Sequence, residues 1–422
     1  MRFKTLDQWL DWQATLHPRE IELGLERVAT VWKRLKPEGL GCPVITVAGT
    51  NGKGSCVAML ESVYRRAGYR VGVYTSPHLV RYQERIRLDG EPVDATRLCA
   101  VFDAIDRARE QITLTYFEFG TLAALSIFAE ERPDLAILEV GLGGRLDAVN
   151  IIDADLAVIT TIDLDHVGWL GESREAIGIE KAGIMRRDRP VVLADPAMPD
   201  SVHREAARIG AKPYALGRDF DFQVHATGWH WRDIQDPGLE LPMPSLSGAG
   251  QMQNAAAAVM ACRLMQLRLE VTEENLAAGL STVRLQGRLQ YLPGRPGILL
   301  DVAHNRQAIE GLRASLEQHP VAGRILALFG LLGDKDAAAV AQVMRHTVVG
   351  WHLMDLPGER GRSSAELARI LRGSGIEAPI RTYPDFATAY AGIRSVAADD
   401  DLILIFGSFL VVGEALQHLG IA

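Results

Sequence analysis

Cysteine is scarce in this chain. Four residues in 422, Cys42, Cys56, Cys99 and Cys262, show no paired spacing. That excludes a disulfide framework and the common zinc motifs, and fits reduced thiols. No apolar run approaches membrane-spanning length. Met1 to Trp12 carries Asp7 and Asp11 and has no apolar core, so it does not read as a signal peptide, and the cytoplasm is the expected compartment. Positive charge is also short. A formal net charge of −8 argues against a general nucleic-acid or membrane-surface binder. There is no internal repeat and no low-complexity tract. No Asn-Lys pair occurs, so the tetrapeptide Asp165-His166-Val167-Gly168 lacks the guanine reader that a GTPase needs.

What is present is a well-mixed globular composition, 48% apolar and 23% charged, at a length that predicts two or three domains. The most informative stretch is Gly49-Thr50-Asn51-Gly52-Lys53-Gly54-Ser55, directly behind the β-branched run Val44–Ala48 and ahead of the helical pattern Cys56–Tyr64. Strand, glycine loop and helix form a phosphate cradle, in which a lysine reaches the outer phosphates. The chain is therefore expected to bind a nucleoside triphosphate. The loop departs from the usual pattern: Val47 stands where a glycine is wanted and Gly54 where a hydroxyl should follow the lysine. The first hydroxyl, Ser55, comes one place late, which disfavours a plain GTPase or motor ATPase.

Further apolar runs alternate with helical patterns: Arg70–Tyr74, Asp134–Val140, Asp155–Ile162 and Pro190–Ala194. Nearly continuous Val, Ile, Leu and Ala mark parallel strands covered on both faces. Phe220–Leu246 alternates aromatic and polar residues and predicts a small antiparallel patch; an alanine-rich helix over Asn254–Gln266 follows. Gln286–Gly297, with three glycines and two prolines, reads as a hinge. Beyond it, Ile298–Val302, Arg324–Phe329, Gly350–Met354 and Asp401–Phe406 begin a second series. The expected fold is α/β. A P-loop-containing N-terminal domain (1–287) has a central, mostly parallel sheet plus the antiparallel patch. A hinge (288–297) leads to a second, Rossmann-like α/β C-terminal domain (298–422).

Ligands of open α/β sheets bind at the carboxyl ends of strands. Those ends present Ser76, Glu139 and His166. Hydroxyl, carboxylate and imidazole suit one or two Mg²⁺ ions bridging phosphates. Each has a plainer reading: Ser76 before Pro77 shapes a turn, and a single histidine packs or caps. Glu139 is harder to dismiss, since an unpartnered carboxylate ending an apolar strand is costly.

These motifs, with Thr75-Ser76-Pro77-His78-Leu79, Glu139–Asp147, Asp163–His166, Ile179–Ile184, Asp301-Val302-Ala303-His304-Asn305 and Gly407-Ser408-Phe409, stand in an order that resembles one family. It is the bifunctional dihydrofolate synthase/folylpolyglutamate synthase family of the Mur-ligase superfamily, and the similarity runs from about Glu22 to Gly413. The resemblance implies an ATP-driven amide ligase that joins L-glutamate to dihydropteroate and to tetrahydrofolate through an acyl phosphate. Asn51, Gly52, Lys53, Gly54, Ser55, Asn254, Arg288 and Asp301 would bind ATP. Ser76, Glu139 and His166 would hold Mg²⁺. Lys181, which spacing alone reads as a surface helix lysine, matches the family's carbamylated lysine; a monovalent cation is a further expectation. Lys53, Lys181 and His304 would be catalytic, with His304 and Ser408 near the incoming glutamate. Glu20, Ile21, Glu22, Leu23, Phe117, Glu118, Phe119, Gly120, Thr121, Leu146, Asp147 and Ala148 resemble pterin-contacting segments. Arg306 and Leu410 depart from the family pattern (proline and histidine are usual) beside the glutamate pocket. The expected partners are dihydropteroate, reduced folates and L-glutamate, with no nucleic acid or membrane, and the expected state is a monomer. Two rival activities are folylpolyglutamate synthesis alone and a peptidoglycan Mur ligase acting on a UDP-sugar. Against the latter, the residues before Gly49 do not read as a UDP-binding domain.

Overall fold

The computed structural model of the chain describes all residues except 37, 235–237, 249, 359 and 422. Two compact units result. One comprises Met1–His78, Tyr82–Ser245 and Met252–Val283; the other Leu79–Arg81, Leu246–Gln251 and Arg284–Ala422.

Among the described residues the first unit is built on an eight-stranded sheet. Its strands are β1 (Val44–Ala48), β2 (Val71–Tyr74), β3 (Ile86–Leu88), β4 (Glu91–Pro92), β5 (Leu135–Glu139), β6 (Leu156–Ile159), β7 (Pro190–Leu193) and β8 (Lys212–Ala215). The order is β4-β3-β2-β5-β1-β6-β7-β8. All neighbours are parallel except β2 with β3 and β3 with β4. The central strands are buried along their whole length, as two-sided cover requires. Val44, Ala48, Ala136, Leu138, Ala157 and Ile159 join one apolar core. The alternating Ile45, Val47, Leu135, Ile137, Leu156 and Val158 are equally buried and turn to the opposite face. A three-stranded antiparallel sheet, β9 (Phe220–His225), β10 (Gly228–Asp233) and β11 (Leu239–Leu241), takes the place foreseen for the aromatic stretch, residues 235–237 of which lie outside the described set. The alanine-rich helix runs Gln251–Met265.

The second unit carries a six-stranded sheet among its described residues. It contains β12 (Gln290–Leu292), β13 (Gly297–Asp301), β14 (Ile325–Phe329), β15 (Gly350–Met354), β16 (Ile380–Tyr383) and β17 (Leu402–Phe406), in the order β12-β13-β17-β14-β15-β16. Only β12 is antiparallel to its neighbour. Two apolar cores, one per face, alternate along these strands: Leu299, Phe329, Trp351 and Leu404 belong to one, Leu300, Leu328, Met354 and Ile405 to the other. The stretch expected as a hinge thus contains an ordered edge strand, β12.

Candidate active site

The glycine loop is fixed by the end of β6. Thr50 N–H donates to Thr161 O (2.7 Å), and the Thr50 hydroxyl both donates to Asp163 O and accepts from Asp163 N–H (3.0 Å each). Thr160 Oγ1 donates to Asn51 O at 2.7 Å. A Cβ at Gly49, where φ is +153°, would run into that same hydroxyl, so the loop can approach β6 only through a glycine. Gly52, at φ +87°, begins the helix Lys53–Arg66 and offers no side chain to cap it. This is the setting in which a helix N-terminus receives phosphate oxygens. A Cβ at Gly52 would stand 2.7 Å from Asn254 Oδ1. The alanine-rich helix therefore delivers Asn254 to the loop. Ser55 is buried in the first turn of the loop helix, while Asn51 and Gly54 are half-buried.

Two lysines meet beneath the loop. Lys53 Nζ donates to Gly49 O (3.0 Å) and Thr50 O (3.2 Å), and Lys181 Nζ donates to Gly49 O at 2.8 Å. Lys181 is 4% exposed. Burial first, then the Lys53 charge, lower its pKa from 10.5 to about 7, against the opposing pull of Asp165 and Asp147. It is buried because the Gly141–Arg145 loop lies on its helix, Arg174–Ala182: Arg145 N–H donates to Glu180 O (2.7 Å), and a Cβ on Gly144 would stand 3.0 Å from Lys181 Cα. Asp147 is buried as well. Burial raises its pKa to about 6, opposed by the N–H groups of Leu142 and Val149 and by Lys53.

The three strand-end donors follow β2, β5 and β6, with β1 lying between the last two. β2 pairs with β5, and Ser76 N–H donates to Glu139 Oε2 at 3.3 Å. Glu139 is 5% exposed. His166, in the left-handed region at φ +49°, starts the short helix Val167–Leu170, and its N–H is held by Asp165 Oδ1 at 2.8 Å. Among the described residues, no three His, Cys, Asp or Glu side chains gather into a self-sufficient metal site. One carboxylate, one hydroxyl and one imidazole fit a hard divalent cation that completes its shell with phosphate and water oxygens.

The segments expected to contact a pterin lie together. Arg27 joins two of them: Nη1 donates to Glu22 Oε1 (2.5 Å) and Nη2 to Glu118 Oε1 (3.0 Å). Gly24 N–H donates to Leu146 O (3.3 Å), which ties the 20–24 segment to the Leu146–Ala148 loop. Phe117 faces Tyr74 at 5.9 Å between ring centroids, and a Cβ on Gly141 would be 2.6 Å from the Phe117 ring. Thr121 Oγ1 donates to Phe117 O (2.9 Å), and Gly120 faces the Tyr82 hydroxyl. Glu20 is exposed, while Ile21 and Leu23 are half-buried. Asp147 caps the turn that begins at Ala148. Phe119 differs from its neighbours: it is fully buried against Phe102 and Trp12, so it shapes the helix's seat rather than the pocket.

In the second unit, β13 and β17 are paired so that Asp301 lies beside Phe406. Asp301 accepts from Leu289 N–H (2.9 Å) and Ala303 N–H (2.8 Å); burial raises its pKa and Arg288 opposes that rise. Arg288 lies over the Phe409 ring at 5.1 Å. His304 Nδ1 meets Val302 O at 2.8 Å, which makes Nδ1–H the donor. Ser408 Oγ accepts from Val411 N–H (3.2 Å) as the cap of the helix Phe409–His418. Arg288, Asp301, His304 and Ser408 thus share one rim.

Sequence reasoning missed Arg27, Thr160 and Arg85. Arg85 Nε donates to His78 Nδ1 at 2.8 Å, and burial followed by that guanidinium lowers the His78 pKa to about 4. The partners of Arg27 and Thr160 lie far off in sequence, so no local pattern announces them.

Loop, buried lysine and strand-end donors define an ATP-dependent ligase of Mur type, and comparison agrees. The Mur ligase middle domain model matches residues 47–262, and the Mur ligase, glutamate ligase domain model matches residues 287–409. The dihydrofolate synthase/folylpolyglutamate synthase of Escherichia coli (strain K12) is 41% identical over 415 residues, covering 98% of this chain and 95% of that protein. E. coli FolC in complex with DHPP and ADP superposes with a TM-score of 0.93 at 40% identity, covering 99% of this chain and 98% of that one. A bifunctional folylpolyglutamate synthase/dihydrofolate synthase with Mn, AMPPNP and L-glutamate bound gives a TM-score of 0.91 at 40% identity, with coverage of 99% and 98%. The chain belongs to the dihydrofolate synthase/folylpolyglutamate synthase family.

Proposed function

We infer that the chain is an ATP-dependent carboxylate–amine ligase that adds L-glutamate to dihydropteroate, forming dihydrofolate, and to tetrahydrofolate, forming polyglutamates. The observation that carries this reading is the buried Lys181 amine on the carbonyl of the phosphate loop. A GTPase or motor ATPase has no use for a second, desolvated lysine there.

The substrate carboxylate attacks the γ-phosphate and gives an acyl phosphate and ADP. The glutamate amine then attacks the acyl carbon and expels phosphate. The chain's part in the first step is positioning and charge neutralisation. Asn51–Ser55 would hold the phosphates through N–H groups, with Lys53 on the outer ones, and Asn254, Arg288 and Asp301 would hold the rest of the nucleotide. Ser76, Glu139 and His166 would hold a divalent cation, Mg²⁺, whose charge neutralises the phosphates when bound. Burial and the Lys53 charge bring the Lys181 pKa down to about 7, and the uncharged amine would add to CO₂, releasing a proton, to become a carbamate anion. A monovalent cation belongs to the same proposal, and His304 and Ser408 would serve the incoming glutamate. Glu20–Leu23, Phe117–Thr121 and Leu146–Ala148 supply the pterin site. The division 1–287, 288–297 and 298–422, a monomer and a cytoplasmic location belong to the same proposal; no helix among the described residues is long and apolar enough to cross a membrane.

The test is a panel of dihydropteroate, tetrahydrofolate and a UDP-muramoyl peptide, each with ATP and glutamate, read by mass spectrometry. Glutamylation of the first two supports the reading. Tetrahydrofolate alone would reduce it to one activity, and the UDP-sugar alone would replace it.

A further inference from the structure

Most arginines around the strand ends of the first unit are neutralised by carboxylates. Arg27 is held by Glu22 and Glu118, Arg87 by Glu61, and Arg145 by Glu180. Arg85 is the exception. It is half-buried, and among the described residues no Asp or Glu lies within ion-pair distance. Its single side-chain hydrogen bond there is Nε–H to His78 Nδ1, 2.8 Å. The guanidinium packs on an aromatic corner, 5.4 Å from the Tyr82 ring centroid and 5.5 Å from that of Tyr116, two rings that meet edge to face at 5.7 Å. With Nε engaged by His78 and the tyrosine corner packed against the group, the Nη edge is left for a ligand, and a planar two-nitrogen edge is the match for a carboxylate. A half-buried cation with no carboxylate beside it is under-compensated, so this arrangement points to an anionic occupant.

Its place narrows the choice. His78 lies two residues beyond Ser76, and Tyr116 begins the helix that carries Phe117–Thr121. Arg85 thus sits between the strand end expected at the phosphates and the helix expected at the pterin. A substrate spanning that distance carries its reacting carboxylate toward the phosphates. Dihydropteroate has no other carboxylate. A reduced folate has one more, the α-carboxylate of its glutamyl residue, which stays unreacted while the γ-carboxylate is activated.

We propose that Arg85, oriented by His78 and packed against Tyr82 and Tyr116, binds the α-carboxylate of the folate's glutamyl residue and so selects for the second of the two reactions. The inference rests on the functional reading above and adds a specificity determinant to it. His78 is a positioning residue: its Nδ1 lone pair fixes the guanidinium plane.

The experiment measures kcat and KM with dihydropteroate, with tetrahydrofolate, and with a tetrahydrofolate analogue whose glutamyl residue is replaced by 4-aminobutyrate. That analogue keeps the reacting carboxylate and lacks the α-carboxylate. Wild type is expected to prefer tetrahydrofolate over the analogue by about 10- to 100-fold in kcat/KM, the range of a charged hydrogen-bonded contact. In Arg85→Met that preference disappears, through KM rather than kcat, and the ratio of tetrahydrofolate to dihydropteroate efficiency falls by a similar factor. Arg85→Lys, which keeps the charge but not the fork, recovers part of it. The wild-type comparison needs no variant to fold. Equal use of tetrahydrofolate and the analogue by wild type, or an equal loss with all three acceptors in Arg85→Met, would overturn the inference while leaving the ligase reading intact. A wild-type protein that glutamylates none of them would overturn the ligase reading, and this inference with it.

Discussion

Replacing Lys181 by Met tests the buried amine through stability, independently of turnover. In the unfolded chain the lysine holds its proton to its ordinary pKa of 10.5, whereas in the native protein burial and Lys53 let it go near 7. Between those values the unfolded state binds more protons, so unfolding free energy rises with pH. The slope is about 1.4 kcal/mol per pH unit once pH exceeds the native value. Wild type should therefore gain about 3 kcal/mol between pH 6 and pH 9 from this group alone. Lys181→Met cannot gain it. The variant loses the 2.8 Å bond to Gly49 O, but Lys53 Nζ still donates to that oxygen at 3.0 Å. Its stability relative to wild type should thus be most favourable at pH 6 and worsen steadily toward pH 9. Urea titrations of both proteins in CO₂-free buffer at half-unit pH steps give the difference directly. A difference that stays flat across that window would refute the idea that Lys181 is held near neutrality by burial. Glutamate-dependent turnover should fall by about 10²-fold or more in the same variant.

Glu139→Ala and His166→Ala should each lose about 10²–10³-fold in kcat and weaken Mn²⁺ binding, followed by calorimetry in the presence of ADP; normal Mn²⁺ affinity in both would remove the metal assignment. Gly49→Ala drives a methyl group into the Thr160 hydroxyl at a backbone angle side chains rarely adopt. It should cost about 3 kcal/mol in a denaturant titration and abolish nucleotide binding; a wild-type melting curve would contradict the loop–β6 seam. Arg27→Met leaves the buried Glu118 carboxylate without its cation. A loss of about 3 kcal/mol is expected, with a raised KM for dihydropteroate and little change in the KM for ATP; unchanged stability would show that Glu118 relaxes toward solvent.

The elements legible in the sequence were those whose burial is two-sided. β1, β5 and β6 are runs of β-branched and aliphatic residues because both faces are covered, and the phosphate loop is announced by what precedes and follows it. The elements that escaped are short or exposed. β4 is two exposed residues, Glu91–Pro92, and β16 has an exposed middle, so neither carries an apolar run. β12 was masked by the glycines and prolines around it. The site was legible only in part, for a related reason. Glu139 reads as functional because a carboxylate ends an apolar strand. Lys181 on local spacing reads as surface, since what buries it is the Gly141–Arg145 loop from another part of the chain. Asn254 and Arg27 depend on contacts with Gly52 and Glu118 that no window of sequence contains. Resemblance supplied the role of Asn254, and geometry alone supplied Arg27 and Arg85.

The central claim is that carboxylate activation by ATP precedes glutamate transfer. It is tested most directly with dihydropteroate labelled with ¹⁸O in its carboxylate, incubated with the protein, ATP and glutamate. Attack by the carboxylate on the γ-phosphate, followed by amine attack on the acyl carbon, must carry one labelled oxygen into the released inorganic phosphate. Mass analysis of that phosphate should show one ¹⁸O for each dihydrofolate formed. Unlabelled phosphate alongside dihydrofolate would contradict the acyl-phosphate route, and ADP release without any glutamylated product would contradict the ligase itself.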